Sequence, residues 1–218
     1  MDEDASISGV IRAVLWDFGG VITTSPFESF ARYERSTGLP EGFIRSLNAT
    51  NHERNAWARL ERSEVGIEEF CRLYEEEARA AGHALDARAV LACLAGEIRP
   101  EMVRALRAIR ERGLKQACLT NNFVGMTSDR PPEARQAPVF DLFDAVVESS
   151  KIGVRKPEPR FYLIACELLG ISPPEAVMLD DIGINLKPAR ELGMRTIKVV
   201  DAGEALRELE EVLGFPLA

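Results

Sequence analysis

Histidine is nearly missing from this chain of 218 residues, which contains only His52 and His83. A serine–histidine–aspartate relay or a histidine-based zinc site is poorly supported by that supply. Cysteine is sparse as well. Cys71, Cys93, Cys118 and Cys166 form no CxxC pair and fall within apolar or helical patterns. They read as packing residues of a protein in a reducing compartment, not as disulfides or zinc ligands. No long apolar run follows the acidic start Met1-Asp2-Glu3-Asp4. Neither a signal peptide nor a spanning helix is visible, and a cytoplasmic protein without membrane attachment is expected. Positive charge is in deficit, 27 Lys and Arg against 35 Asp and Glu for a net charge of -8. That balance argues against nucleic acid or an anionic membrane surface as the main partner. Internal repeats and low-complexity stretches are absent too. What is present, 46% hydrophobic and 28% charged residues, is the composition of an ordinary globular protein. Its length suits one large domain, or one domain carrying a smaller inserted one.

Short apolar runs alternate with amphipathic stretches in the outer parts of the chain. Strands are expected at Arg12 to Trp16, Gln116 to Leu119, Ala145 to Val147, Ala176 to Leu179 and Thr196 to Val200. Helices are expected at Pro100 to Arg112, Glu158 to Leu169 and Leu186 to Leu192, with Gly113, Gly170 and Gly193 as stops. This alternation predicts an α/β fold, a Rossmann-like doubly wound parallel sheet. Residues 25–96 break the rhythm with helical patterns only: Phe27 to Ser36, Pro40 to Asn48, Asn55 to Arg62, Gly66 to Ala81 and Asp86 to Cys93. The expected organisation is a catalytic core of residues 1–24 and 97–218, with a helical cap of residues 25–96 inserted after the first strand as a lid over the site. Gly125 to Pro138, with Pro131-Pro132 and mixed charges, reads as a long surface loop.

The chemistry gathers at the ends of the apolar runs. Val14-Leu15-Trp16 ends on Asp17, and Gly19 and Gly20 then permit a sharp turn and a close backbone approach to a ligand. A carboxylate at the carboxyl end of a buried α/β strand suits a nucleophile or a metal ligand, although a lone aspartate there serves as often to cap a loop. Asp180 and Asp181 follow Val177-Met178-Leu179. Adjacent carboxylates converging on a third repel one another unless a cation neutralises them, and hard oxygen donors suit Mg²⁺. Thr120 and Asn121 follow Ala117-Cys118-Leu119, where a hydroxyl and the following N–H groups can hold phosphoryl oxygens. Lys156, backed by Pro157, would be a fixed ammonium offsetting Asp17 and a phosphoryl group, whereas Arg155 reads as the solvated member of the pair. His52 reads as an exposed residue at a helix start. Four such segments in this order point to aspartate-based phosphoryl transfer.

Four stretches carry a resemblance: Trp16-Asp17-Phe18-Gly19-Gly20-Val21, Leu119-Thr120-Asn121-Asn122, Lys156-Pro157-Glu158-Pro159, and the long run from Leu179-Asp180-Asp181 through Gly183, Asn185 and Lys187 to Arg190. With them the chain resembles the haloacid dehalogenase-like superfamily. It is most similar there to the phosphatase domain at the N-terminus of soluble epoxide hydrolases and to the domain fused to some acyl-CoA dehydrogenases. The resemblance implies an Mg²⁺-dependent phosphatase that acts on a small phosphorylated substrate through an aspartyl-phosphate on Asp17. It implies metal ligation by Asp17, the Gly19 carbonyl and Asp181, with Asp180 and Asn185 in support. Thr120 and Asn121, beside the Gly20 turn, would hold the phosphoryl group, and Lys156 would pair with Asp17. One position departs from the pattern, because Gly19 stands where such phosphatases carry a second aspartate as general acid. General acid–base help contributes a factor of ~10² to 10⁴, so its loss slows poor leaving groups most. Two alternatives follow: a haloacid dehalogenase, and a weakly catalytic domain that binds phosphorylated ligands.

Overall fold

The computed structural model describes residues 10–123 and 137–217. Strands β1 (Ala13–Trp16), β2 (Lys115–Thr120), β3 (Ala145–Glu148), β4 (Ala176–Asp180) and β5 (Arg195–Lys198) form one parallel sheet in the order β3-β2-β1-β4-β5. The helices are α1 (Pro26–Thr37), α2 (Phe43–Ala49), α3 (Ala56–Glu61), α4 (Ile67–Ala80), α5 (Ala87–Ala92), α6 (Pro100–Glu111), α7 (Ala137–Phe140), α8 (Ser149–Ile152), α9 (Pro159–Leu169), α10 (Gly183–Glu191) and α11 (Ala202–Leu213). Among the described residues no helix is long and apolar enough to cross a membrane. All four cysteines are unpaired.

Every residue of β1 and β4 is buried, which is why both read as unbroken apolar runs and not as alternating ones. Alternate side chains serve opposite faces. Val14, Trp16, Val177 and Leu179 join Met102, Leu106 and Ile109 of α6 and Leu209 of α11 in one core. Ala13, Leu15, Ala176 and Met178 join Phe161, Tyr162 and Leu169 of α9 and Leu186 and Ala189 of α10 in the other. Trp16 is wholly buried, and its indole N–H donates to Gln116 Oε1 at 3.2 Å, while Gln116 Nε2 donates to the Leu106 carbonyl at 2.8 Å. At ~1.5–3 kcal/mol for each fully buried large apolar side chain, β1 is held so firmly that the residue following it has a fixed position.

Helices α1 to α5 surround a third apolar cluster built on Phe30, Ile44, Leu60, Phe70 and Tyr74, which Phe123 from the segment after β2 also enters. The two stretches joining these helices to the sheet run side by side. Thr23 bridges Ile98 antiparallel, Thr24 N donates to Glu97 O at 2.8 Å, and Arg99 N donates to Ile22 O at 2.9 Å. Gly96 lies so close here that a Cβ would stand 2.7 Å from the Thr24 carbonyl oxygen.

The departures from expectation are local. The expected strand at Thr196 to Val200 stops at Lys198: Val200 is exposed, and Asp201 caps α11 by accepting from Glu204 N. Helix α11 itself was not anticipated from the sequence. The helix expected from Leu186 begins three residues sooner, at Gly183. The expected loop Gly125 to Pro138 lies outside the described residues except for its last two positions, which open α7.

Candidate active site

In the strand order observed, β1 lies between β2 and β4, and a ligand crevice forms at the carboxyl ends of strands where the direction of winding reverses. Asp17 follows β1 directly, and its backbone N–H donates to the Leu179 carbonyl at 2.9 Å, which continues the ladder with β4. The residue is 7% exposed, and its side chain accepts from Phe18 N at 2.6 Å. The chain then swings through a wide turn over Phe18–Ile22, in which Gly20 takes a φ of 83°. A Cβ there would overlap the Asp181 carboxylate. Glycine at position 20 thus allows both the left-handed backbone and the approach of Asp181. Gly19 is different: its φ is -73°, and a Cβ there would meet no atom within 4 Å.

Lys156 is 1% exposed, and its Nζ lies 2.8 Å from Asp17 Oδ1 and 2.8 Å from Asp180 Oδ2. The Lys156–Pro157 peptide is cis. Asp180, wholly buried, has both oxygens engaged. Oδ1 accepts from Ile182 N at 2.8 Å, Oδ2 accepts from Lys156, and Asn185 Nδ2 lies 3.1 Å from each oxygen. Asp181 differs: Ser25 Oγ donates to its Oδ2 at 3.4 Å, while its Oδ1 is buried with no hydrogen-bond partner among the described residues. One oxygen from each of Asp17, Asp180 and Asp181 lies within 4.8 Å of the others.

The electrostatics follow from burial. Desolvation raises the Asp17 pKa well above its usual value, with Asp180 and Asp181 adding to the rise and the Lys156 ammonium opposing it. Asp181 is pushed up to about 6, by burial first and then by Asp180. Burial acts against the Lys156 ammonium, yet Asp17 and Asp180 more than offset it and hold its pKa above the usual lysine value. Two of the three clustered carboxylates, Asp17 and Asp180, share one ammonium, and one buried oxygen of the third, Asp181, has no donor among the described residues. This all-oxygen set fits a small, hard divalent cation of the Mg²⁺ kind.

Thr120 ends β2, half-buried, and its hydroxyl has no hydrogen-bond partner among the described residues. The side chain of Asn121 turns away to clamp a peptide: Lys156 N donates to its Oδ1 at 2.9 Å, and its Nδ2 donates to Lys156 O at 3.0 Å. Only its backbone N–H is left for a phosphoryl oxygen. Asn122 joins the second residue of this segment to α8, donating from its backbone N to Ser149 Oγ at 2.9 Å.

Sequence reasoning missed two residues here. Arg155, expected to be solvated, has a side chain only 13% exposed; its Nε lies 2.5 Å from Glu61 Oε2, and its guanidinium donates to the His52 carbonyl at 2.8 Å. Glu61 ends α3 and is 8% exposed. Its position four residues after Trp57 on the buried side of a helix was the only local signal. His52 contributes its backbone carbonyl here and lines a groove of about 660 Å³ with Arg54, Arg59, Arg62 and Glu158.

A family profile described as haloacid dehalogenase-like hydrolase matches residues 11–193. The chain belongs to this family. Mouse acyl-CoA dehydrogenase family member 10 is 36% identical over 216 residues, which cover 94% of this haloacid dehalogenase-like chain and 19% of the mouse protein. Pig bifunctional epoxide hydrolase 2 is 32% identical over 223 residues, 95% of the chain and 40% of that protein. The chain thus spans well under half the length of either relative. A phosphatase of Mycobacterium tuberculosis is 37% identical over 105 residues, 48% of each chain. Two solved structures share the fold. One is a haloacid dehalogenase family enzyme from Bacteroides thetaiotaomicron in complex with magnesium and inorganic phosphate (TM-score 0.60, 21% identity, 91% of this chain and 98% of that one). The other is L-2-haloacid dehalogenase from Xanthobacter autotrophicus (TM-score 0.60, 23% identity, 96% and 85%).

Proposed function

We propose that this haloacid dehalogenase-like hydrolase is an Mg²⁺-dependent phosphatase that hydrolyses monoesters or other phosphates of a small metabolite through an aspartyl-phosphate on Asp17. The observation that carries this reading is the meeting of Asp17, Asp180 and Asp181 around one buried lysine, with one oxygen of Asp181 left without a donor. Asp17, Asp181 and the Gly19 carbonyl would hold the cation, and Asp180, already engaged by Lys156 and Asn185, would support them. When bound, Mg²⁺ neutralises charge among these carboxylates and polarises phosphoryl oxygens. The phosphatase from Mycobacterium tuberculosis and the magnesium and phosphate complex from Bacteroides thetaiotaomicron support the same direction.

Each residue then has a task. Lys156 opposes the rise in the Asp17 pKa, favouring its ionised form, and holds it in line with the substrate. An Asp17 carboxylate oxygen attacks phosphorus, a P–O bond to Asp17 forms, and the bond to the leaving oxygen breaks. Water then attacks the same phosphorus, releasing inorganic phosphate and restoring the carboxylate. The Thr120 hydroxyl and the N–H groups of Gly20 and Asn121 receive the phosphoryl oxygens. Residues 25–96 serve as a cap that selects the organic part of the substrate. With no acid at Gly19, the favoured substrates have good leaving groups, such as acyl or anomeric sugar phosphates.

Gly19 also favours a second reading, a domain that binds phosphorylated ligands and turns them over slowly. The dehalogenase reading has less behind it, since attack on carbon needs no cation and leaves the acidic cluster unneutralised. Phosphate release from acyl, sugar, lipid and aryl phosphates, with Mg²⁺ and with chelator, tests the proposal. Metal-dependent release that Asp17→Asn abolishes is expected. Folded protein that releases nothing from any of them overturns it in favour of ligand binding.

A further inference from the structure

We infer that Glu61 is a positioning residue for Lys156: it reaches from the helical insertion into the core and fixes the clamp that aims the lysine at Asp17. The inference rests on the phosphatase reading of this site. Glu61 is buried, and both its oxygens are committed. Oε1 accepts from Trp57 Nε1 at 3.1 Å, which ties the carboxylate to its own helix. Oε2 faces Arg155 Nε at 2.5 Å and accepts from Asn121 Nδ2 at 3.2 Å. With these partners Glu61 has no contact with the reacting groups, so it acts by placement and not by proton transfer.

Asn121 explains how that placement reaches the site. A primary amide has one acceptor oxygen and two N–H donors. Here the oxygen takes the Lys156 N–H, one N–H goes to the Lys156 carbonyl, and the other goes to Glu61. Glu61 therefore fixes which way the Asn121 amide faces, and that amide holds the backbone of Lys156 on both sides. The same carboxylate neutralises Arg155, the residue just before Lys156. Without it, the nearly buried guanidinium would keep its hydrogen bond to the His52 carbonyl but, among the described residues, no carboxylate in ion-pair contact. The hydrogen bond and the ion pair that Glu61 makes beyond its own helix go to Asn121 and Arg155, the chain neighbours of Thr120 and Lys156. A brace serving stability alone would have no reason to converge on those two positions.

Three variants test this: Glu61→Gln, which keeps the shape and removes the charge, Glu61→Ala, and the control Glu68→Gln on an exposed ion pair. Two readouts are taken on the full chain, kcat and KM for an aryl phosphate with Mg²⁺, and solvent exchange of the Lys156 backbone amide. Displacing a positioned group by about 1 Å can cost 10²-fold in rate. Glu61→Gln is therefore expected to lower kcat at least ~10-fold with KM within ~3-fold, and to speed exchange at the Lys156 amide, while Glu68→Gln changes neither. Glu61→Ala is expected to be worse in both, and if it fails to fold, the Gln variant carries the test. Unchanged Lys156 exchange in Glu61→Gln, or a kcat per folded molecule equal to that of the parent, overturns the inference and leaves Glu61 a structural brace. If the parent chain releases no phosphate, the phosphatase reading fails by itself, and the exchange measurement still decides whether Glu61 sets the clamp.

Discussion

Two adjacent glycines do opposite things. Gly20 has no alternative, because its left-handed backbone and the Asp181 carboxylate against it both exclude a side chain. Gly19 has a conformation open to any residue and empty space where a side chain would go. Glycine at position 19 is therefore not required by the backbone or by crowding at Cβ, and on the phosphatase reading an acid can be introduced there without a clash at that atom. Gly19→Asp is expected to raise hydrolysis of alkyl phosphates by about 10²-fold and of aryl phosphates much less, since general acid help matters most for poor leaving groups. Steady-state rates on a matched pair of alkyl and aryl esters check this. Equal, unimproved rates would mean that the site lacks more than an acid, and would favour the ligand-binding reading. At this scale Asp17, Thr120, Lys156 and the Asp180-Asp181 pair could be read from the sequence, because each follows or flanks a short local pattern. Glu61 and Arg155 could not. Their significance comes from each other, across a separation in sequence that no local pattern spans, and an arginine beside a lysine is ordinarily solvated.

Elements were legible wherever an apolar period was long enough to declare itself. Helix α4 buries Phe70, Cys71, Tyr74 and Ala78 on one stripe, and the spacing alone gives it away. Helix α11 carried the same information, with Asp201 as cap, Ala202, Ala205 and Leu209 as its buried stripe and Gly214 as stop. The junction of α1 and α2 shows what periodicity cannot reveal. Glu34 lies on α1 yet is 2% exposed, and its carboxylate accepts from Gly42 N and Ile44 N, each at 2.8 Å. It supplies the capping acceptor that Gly42, having no side chain, cannot give to α2. Glu34→Ala leaves the N–H of the buried Ile44 unpaired, at about 1–3 kcal/mol for a group so stranded, while the N–H of the exposed Gly42 turns to water. A loss of about 1–3 kcal/mol is expected in denaturant unfolding, against almost none for the exposed Glu68→Gln. A loss under about 1 kcal/mol would mean that water reaches the Ile44 amide as well.

The whole molecule responds to pH through the same cluster that would hold the cation. Asp181 titrates at about 6 in the folded chain against an ordinary 3.8. Between those values the folded protein keeps a proton that the unfolded chain has lost. Stability from this group is complete below the lower value and lost as pH rises through the upper one. Cation-free protein is therefore expected to lose stability relative to Asp181→Asn across that window. Mg²⁺ above it should restore about 2.7 kcal/mol at a hundred times its dissociation constant. Unfolding of both proteins at either end of the window, with cation and with chelator, checks the sign. Parallel pH curves would mean that Asp181 ionises freely.

At the same scale, the pairing of Thr23 with Ile98 and of Thr24 with Glu97 gives the helical insertion a single, zipped doorway. A segment whose two ends already touch can be exchanged for another of any length without disturbing the sheet, because the core meets the same pair of ends. If residues 25–96 select the substrate as proposed, recombination at this doorway would give one hydrolytic centre a succession of specificities. The exchange carries a condition at Arg155. Each incoming segment would have to bring an acid of its own to Arg155, so new roofs would be inherited together with their fastening to the lysine.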